Sequence, residues 1–158
     1  HRMCQRTFYF DSMVVPNYSK NRAYLMPENS CPFCEILQTL SSDRIIFANE
    51  EAFLIEDGFP VSPGHSLIIP KRHIGSFFEA TADERNSLLQ LLDRAKKIVD
   101  ERYKPSAYNI GINDGPAAGQ TVPHLHIHLI PRYEQAEIDP RGGVRWVIPD
   151  KADYWSDQ

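Results

Sequence analysis

A chain of 158 residues, 42% apolar and 24% charged, is long enough for one domain with a real core and too short for two comfortable ones. Its net charge of −4 argues against general nucleic-acid binding, which needs a basic face, but leaves room for a small anion held by a local cluster of donors. No apolar run reaches the roughly 18 residues of a membrane helix, the start lacks a signal-peptide pattern, and an odd set of three cysteines with one C-x-x-C pair fits a reducing cytosol.

Residues 1–30 are polar and poorly periodic, and are expected to form an N-terminal arm ahead of a single domain over 31–158. A short helix is expected after the cysteines, over Glu35–Leu40. RIIFANE and AFLIED are two apolar-rich runs broken at Asn49–Glu51, which predicts a hairpin. GFPVSPG is a turn by its prolines and glycines, and HSLIIPK a strand ended by Pro70.

TADERNSLLQLLDRAKKIVDERY predicts one long helix. Thr81 and Glu84 form a capping box; Leu88, Leu91, Leu92, Ala95, Ile98 and Val99 recur at helical spacing; Pro105 closes the element. AYNIGIND alternates as a strand with Tyr108, Ile110 and Ile112 on one face. GPAAGQTVP is a small-residue loop, HLHIHLIP a strand, and VRWVIP a further short strand. Strands, one long helix, then strands give an α+β fold with a mainly antiparallel sheet of about five strands.

The chain holds six histidines, and three of them, His124, His126 and His128, fall at every second position. On a strand such residues share one face, while Leu125, Ile127 and Leu129 share the other and feed the core. Three imidazoles in register point to a metal site or to phosphate chemistry with an imidazole nucleophile. The preceding NDGPAAGQT favours phosphate, because its small residues let backbone N–H groups approach an anion, and Gln120 and Thr121 add uncharged donors.

HLHIHLI matches the H-φ-H-φ-H-φ-φ signature of the histidine triad (HIT) family of nucleotide hydrolases and transferases. NDGPAAGQTVP and PGHSLIIPKRH are similar to the same family, over roughly residues 31–132, and the tail RGGVRWVIPDKADYW resembles bacterial HIT proteins that hydrolyse diadenosine polyphosphates. The resemblance implies that His126 attacks the α-phosphorus of a dinucleoside polyphosphate, forms a nucleotidyl-histidine, and releases a nucleoside monophosphate after hydrolysis. It implies that His128 donates to phosphate oxygens, that His124 supports the nucleophile, and that His65 is a fourth histidine of the site. It places Asn113 near phosphate and ribose, Thr121 on phosphate and Asp57 on the ribose hydroxyls. A turn role competes for Asp57 before Gly58, for Asn113 before Asp114, and for Thr121. The family's usual homodimer, through the long helix and an edge strand, is the expected assembly, with no nucleic-acid or membrane partner.

The pair Cys31 and Cys34 supplies half of a tetrahedral zinc site. The resemblance completes it with His73 and His124 and implies a structural zinc; no cofactor is needed for the chemistry. CPFC and TVP also resemble glutaredoxin motifs, but the expected βαβ start is missing and that chemistry leaves the three histidines without a role. A phosphoramidate hydrolase of the same family and a nucleotide-binding module without turnover are the remaining alternatives. Arg141, Arg145 and Trp146 would suit a long polyphosphate and a base, or equally a surface turn around a tryptophan.

Overall fold

In the computed structural model, residues 31–39, 43–134 and 139–156 are described. The arm expected over 1–30 lies outside them. The order of elements begins with helix α1 (Pro32–Gln38), then strands β1 (Ile45–Ala48), β2 (Ala52–Glu56) and β3 (Ser66–Pro70). Helix α2 (Ala82–Tyr103) follows, then β4 (Ala107–Gly111) and β5 (Ile127–Arg132). Each pair in the sheet is antiparallel and the spatial order is β1-β2-β3-β5-β4. This is the expected α+β architecture with five strands, one long helix and one short one.

Helix α2 starts where its sequence says. The Thr81 hydroxyl accepts from Glu84 N–H at 3.2 Å, and the Glu84 carboxylate accepts from Thr81 N–H at 2.7 Å. The helix ends on Lys104, left-handed at φ 52°, with Pro105 preventing continuation. Its buried stripe of Leu88, Leu91, Ala95 and Val99 packs on one face of the sheet against Leu54, Ile68, Leu125, Ile127 and Leu129. The opposite face buries Phe53, Ile55, Leu67 and Ile69 beneath α1, whose Phe33 and Ile36 close a second cluster. The sheet is therefore covered on both faces over β2 and β3, which is why AFLI and LII read as continuous apolar runs.

The register of the ladders places the chemistry. Leu67 pairs with His128 across β3 and β5, and Gly111 pairs with His128 across β4 and β5. Beyond the end of β2, Asp57 N–H donates to the His65 carbonyl at 2.9 Å, so Asp57 and His65 face each other. Gly64 turns the chain into β3 at φ 82°, and a Cβ there would stand 2.8 Å from the Tyr103 ring.

Four local expectations are corrected. VRWVIP is not a strand: Gly143–Val147 and Pro149–Lys151 are 3-10 turns. Gly142 and Gly143 both take positive φ, and the Arg145 guanidinium donates to the carbonyls of Lys151 and Ala152, so the segment curls on itself. Strand β5 begins only at Ile127, so His124, in a bend, and His126 precede it and His128 alone is on the strand. The first short helix sits earlier than expected, because Pro32 is favourable in a first helical turn. Strand β4 likewise stops at Gly111, short of Ile112–Asp114.

Candidate active site

His126 lies in an open cavity of about 720 Å3 on the α1 side of the sheet. Phe33, Ile55, Phe59, Val61 and Leu67 give it apolar walls. Asp57, His65, Thr121 and His128 also line it. Asn113 and Gln120 are outside that lining. Gln120 is buried; its Oε1 accepts from Gly115 N–H and its Nε2 donates to the Gly75 carbonyl, each at 2.8 Å. Its amide thus holds the small-residue loop shut and ties it to the start of the segment before α2. Asn113 follows β4 and is half-buried. The turn alternative for Asp57 is realised, since its Oδ1 accepts from Phe59 N–H at 2.8 Å, while Oδ2 faces His65 at 3.5 Å.

The tautomers follow from groups whose donor or acceptor role is fixed. A carbonyl can only accept, so His126 Nδ1, 2.8 Å from the His124 carbonyl, carries the ring proton and leaves Nε2 with its lone pair. His124 is the reverse: Nε2–H donates to the Pro70 carbonyl at 2.8 Å, and Nδ1 is the bare nitrogen. A backbone N–H can only donate. Val61 N–H reaches His65 Nδ1 at 3.2 Å, which puts the His65 proton on Nε2. That Nε2–H lies 3.0 Å from His128 Nδ1, which must accept. The His128 proton is then on Nε2, a buried atom with no hydrogen-bond partner among the described residues. A buried donor left without an acceptor is costly, and a bound anion would relieve it.

Burial keeps these rings neutral near pH 7. His128 is pushed down to about 4 by loss of solvent, with His126 and His65 adding like-charge repulsion. His126 and His65 are lowered for the same first reason, partly opposed by the His124 carbonyl and by Asp57 respectively. The Phe33 ring, edge-on at 5.3 Å from His126 and 5.7 Å from His124, supplies much of the apolar contact.

A second cluster sits behind His124. Its Nδ1 lies 3.4 Å from Cys31 Sγ and 3.6 Å from Cys34 Sγ, and His73 Nδ1 lies 3.2 Å from Cys34 Sγ. All four ligand atoms fall within 4.8 Å of one another. With metal–sulfur bonds near 2.3 Å and metal–nitrogen bonds near 2.0 Å, a tetrahedral ion would hold its ligands roughly 3.3–3.8 Å apart. Cys31, Cys34, His73 and His124 therefore form a possible metal site, and the Pro70 carbonyl orients the His124 ligand in the manner of an outer-shell partner. Asp57, His65 and His128 also lie close enough for an ion. The Val61 amide disfavours that use, because it leaves His65 facing the other two as a donor.

The sequence singled out the polar groups of the cavity and missed its walls. Phe33 and Ile55 look like core, and Phe59 and Val61 look like turn residues. Nothing in the sequence marks the Val61 amide as the group that fixes two tautomers.

An antiparallel α+β sheet with four buried or half-buried histidines beside a small-residue loop defines the class of protein. The sequence model of the HIT domain matches residues 38–135, and the chain belongs to the HIT family. A 16.1 kDa HIT-like protein of Mycoplasma pneumoniae is 37% identical over 110 residues, 69% of this chain and 76% of that protein. Bis(5'-adenosyl)-triphosphatase of Saccharomyces cerevisiae is 32% identical over 117 residues, 73% of this chain but 54% of the yeast protein. The crystal structure of a Zn-bound histidine triad family protein from Mycobacterium smegmatis superposes with a TM-score of 0.64 at 31% identity, covering 72% of this chain and 82% of that one. Of these relatives the yeast protein carries an activity in its name, and this chain spans about half of its length. No helix among the described residues is long and apolar enough to cross a membrane.

Proposed function

We propose that the protein hydrolyses dinucleoside polyphosphates at the α-phosphorus through a nucleotidyl-histidine. The observation that carries this reading is the His126 Nδ1–H bond to the His124 carbonyl at 2.8 Å, which leaves Nε2 unprotonated in the cavity. His126 Nε2 attacks the α-phosphorus, and the bond to the bridging oxygen breaks, so the remaining nucleoside polyphosphate leaves with that oxygen and its electron pair. Water then attacks the same phosphorus, the P–N bond breaks, and the nucleoside monophosphate departs as His126 is restored. His128 Nε2–H donates to a phosphoryl oxygen, and its proton is held in place by His65 and the Val61 amide. Asp57 Oδ2 accepts from the ribose hydroxyls, Thr121 donates to phosphate, and Gln120 and Asn113 shape the loop that carries them.

Zinc at Cys31, Cys34, His73 and His124 is structural in this reading. It would tie α1 to the lead-in of β5 and so brace the residues beside His126. The protein is read as a homodimer, with β4 an outer strand of the sheet and Ile110 on it 51% exposed, and as cytoplasmic, with Cys31 and Cys34 not joined in a disulfide.

Incubation with diadenosine triphosphate, diadenosine tetraphosphate and adenosine phosphoramidate tests the reading. AMP is expected from the diadenosine compounds, with AMP trapped on His126 after acid-free quenching and mass spectrometry. His126→Gly should stop turnover and keep nucleotide binding. Full rates in that variant would overturn the mechanism. Preference for the phosphoramidate would favour the sister activity, and binding without AMP from any compound a silent module.

A further inference from the structure

The catalytic cavity is bordered by a cation that the chemistry above does not use, Arg44, which stands just before β1. Strand β1 is the edge of the sheet opposite β4, and no residue of β4 or α2 borders this cavity. The Arg44 side therefore stands apart from the dimer contact read above.

The sheet explains how the guanidinium arrives there. Ile45 pairs with Ile55, and both pack into the apolar cluster beneath α1. Alternation sends the residue before Ile45 toward the other face, where Arg44 also borders a depression with Ile46, Glu56 and Arg102. Its side chain thus rounds the edge of the sheet. Gly58 keeps that path open: a Cβ there would stand 3.5 Å from Arg44 Nη2.

The order of groups along the cavity gives the guanidinium its place on a substrate. His128 Nδ1 lies 3.0 Å from His65 Nε2, and His65 Nε2 lies 3.5 Å from Asp57 Oδ2. Gly58 follows Asp57, and Arg44 lies against Gly58. With phosphate at His126 and His128 and ribose at Asp57, the base comes next, against the apolar walls of Phe33 and Ile55 and toward Arg44. An arginine fork presents parallel N–H donors that match the O6 and N7 acceptors of guanine. Adenine sets an amino donor beside N7, so one N–H of the fork would meet another donor.

We propose that Arg44 is the specificity-determining residue of this cavity and selects guanine over adenine in the nucleoside transferred to His126. This rests on the hydrolase reading above and names the base, which that reading leaves open.

The test measures kcat/KM for diguanosine tetraphosphate and diadenosine tetraphosphate, symmetrical compounds that present the same base at either end. The wild type should favour the guanosine compound about tenfold or more, the discrimination of one bidentate base contact. Arg44→Gln supplies a donor and an acceptor, the pair that matches adenine N6 and N7, and should move the ratio toward adenine by about tenfold or more. Arg44→Lys keeps the charge and loses the fork, which should bring the ratio to within about twofold of unity. Gly58 takes no positive φ, so Gly58→Val suits the backbone and should act as the lysine variant does, by displacing the guanidinium. Thermal unfolding checks each variant; if those at Arg44 lose the fold, Gly58→Val decides. A wild type that turns over both compounds equally, or prefers adenosine, would overturn the role of Arg44 while leaving the His126 chemistry standing. An Arg44→Gln variant that slows both compounds by the same factor would do the same. Turnover of neither compound by the wild type would remove the hydrolase reading, and base selection with it.

Discussion

Val61 N–H donates to His65 Nδ1 across 3.2 Å, and through that contact a main-chain amide sets the proton of a ring it does not belong to. His65 passes the constraint to His128, whose Nε2–H is left without a partner among the described residues. Nitrogen-detected NMR of the resting protein should show His65 and His128 as Nε2–H tautomers and His126 as Nδ1–H. His128→Ala should lower kcat by about 100-fold, the usual loss for one preorganised donor. His65→Ala should cost less, about tenfold, because it releases the tautomer without removing the donor. The two substitutions together should not multiply, since they interrupt one chain of bonds.

Asp57 combines a turn contact with a carboxylate oxygen directed at the cavity. Asp57→Asn can keep the turn and loses the charge. Its KM for ribonucleotide substrates should rise about tenfold or more, the equivalent of a charged hydrogen bond, with little change for 2′,3′-dideoxy analogues. A uniform rise across both would place Asp57 in the turn alone.

Metal content of protein purified without chelator should approach one zinc per chain. Cys34→Ser should lose the ion and lower Tm by roughly 5–10 °C, as expected for a few kcal/mol in a domain of this size. A zinc-free wild type with the same Tm would remove the structural role.

Glu84 serves two masters. It accepts from Thr81 N–H and takes both Nε and a terminal nitrogen of Arg72, at 2.6 and 2.8 Å. The Arg72 bonds hold its carboxyl at about 2, against an ordinary 4.5. A carboxyl held low in the folded state stabilises fully above its unfolded value, and that stability is lost as pH falls from 4.5 toward 2. Glu84→Gln should flatten this acid limb in equilibrium unfolding. Glu84→Ala should cost about 1–3 kcal/mol at neutral pH, from the lost cap and the lost charged bonds.

Much of this was legible in the chain. Local signals carried it: Thr81 and Glu84 mark their helix because a capping box acts within four residues, and the runs around Phe53 and Ile68 mark strands because burial on both faces demands continuous apolar side chains. The tail misleads because Val144, Trp146 and Ile148 alternate like a strand, yet Gly142 and Gly143 bend the backbone through positive φ and no strand among the described residues pairs with it. The beginning of β5 misleads in the same way: the alternation runs back through His126 and His124, yet the chain bends at His124 and the ladder starts only at Ile127.

By itself the sequence determined the sheet, the long helix and the identity of the imidazoles, because periodicity and caps are properties of neighbouring residues. Only the tertiary structure decided which nitrogen of each imidazole is bare. That choice depends on the carbonyls of His124 and Pro70 and the amide of Val61, main-chain groups that no sequence distinguishes. It also decided that Gly111 lies opposite His128, since register across two strands is fixed by the packing of both faces and appears in neither strand alone.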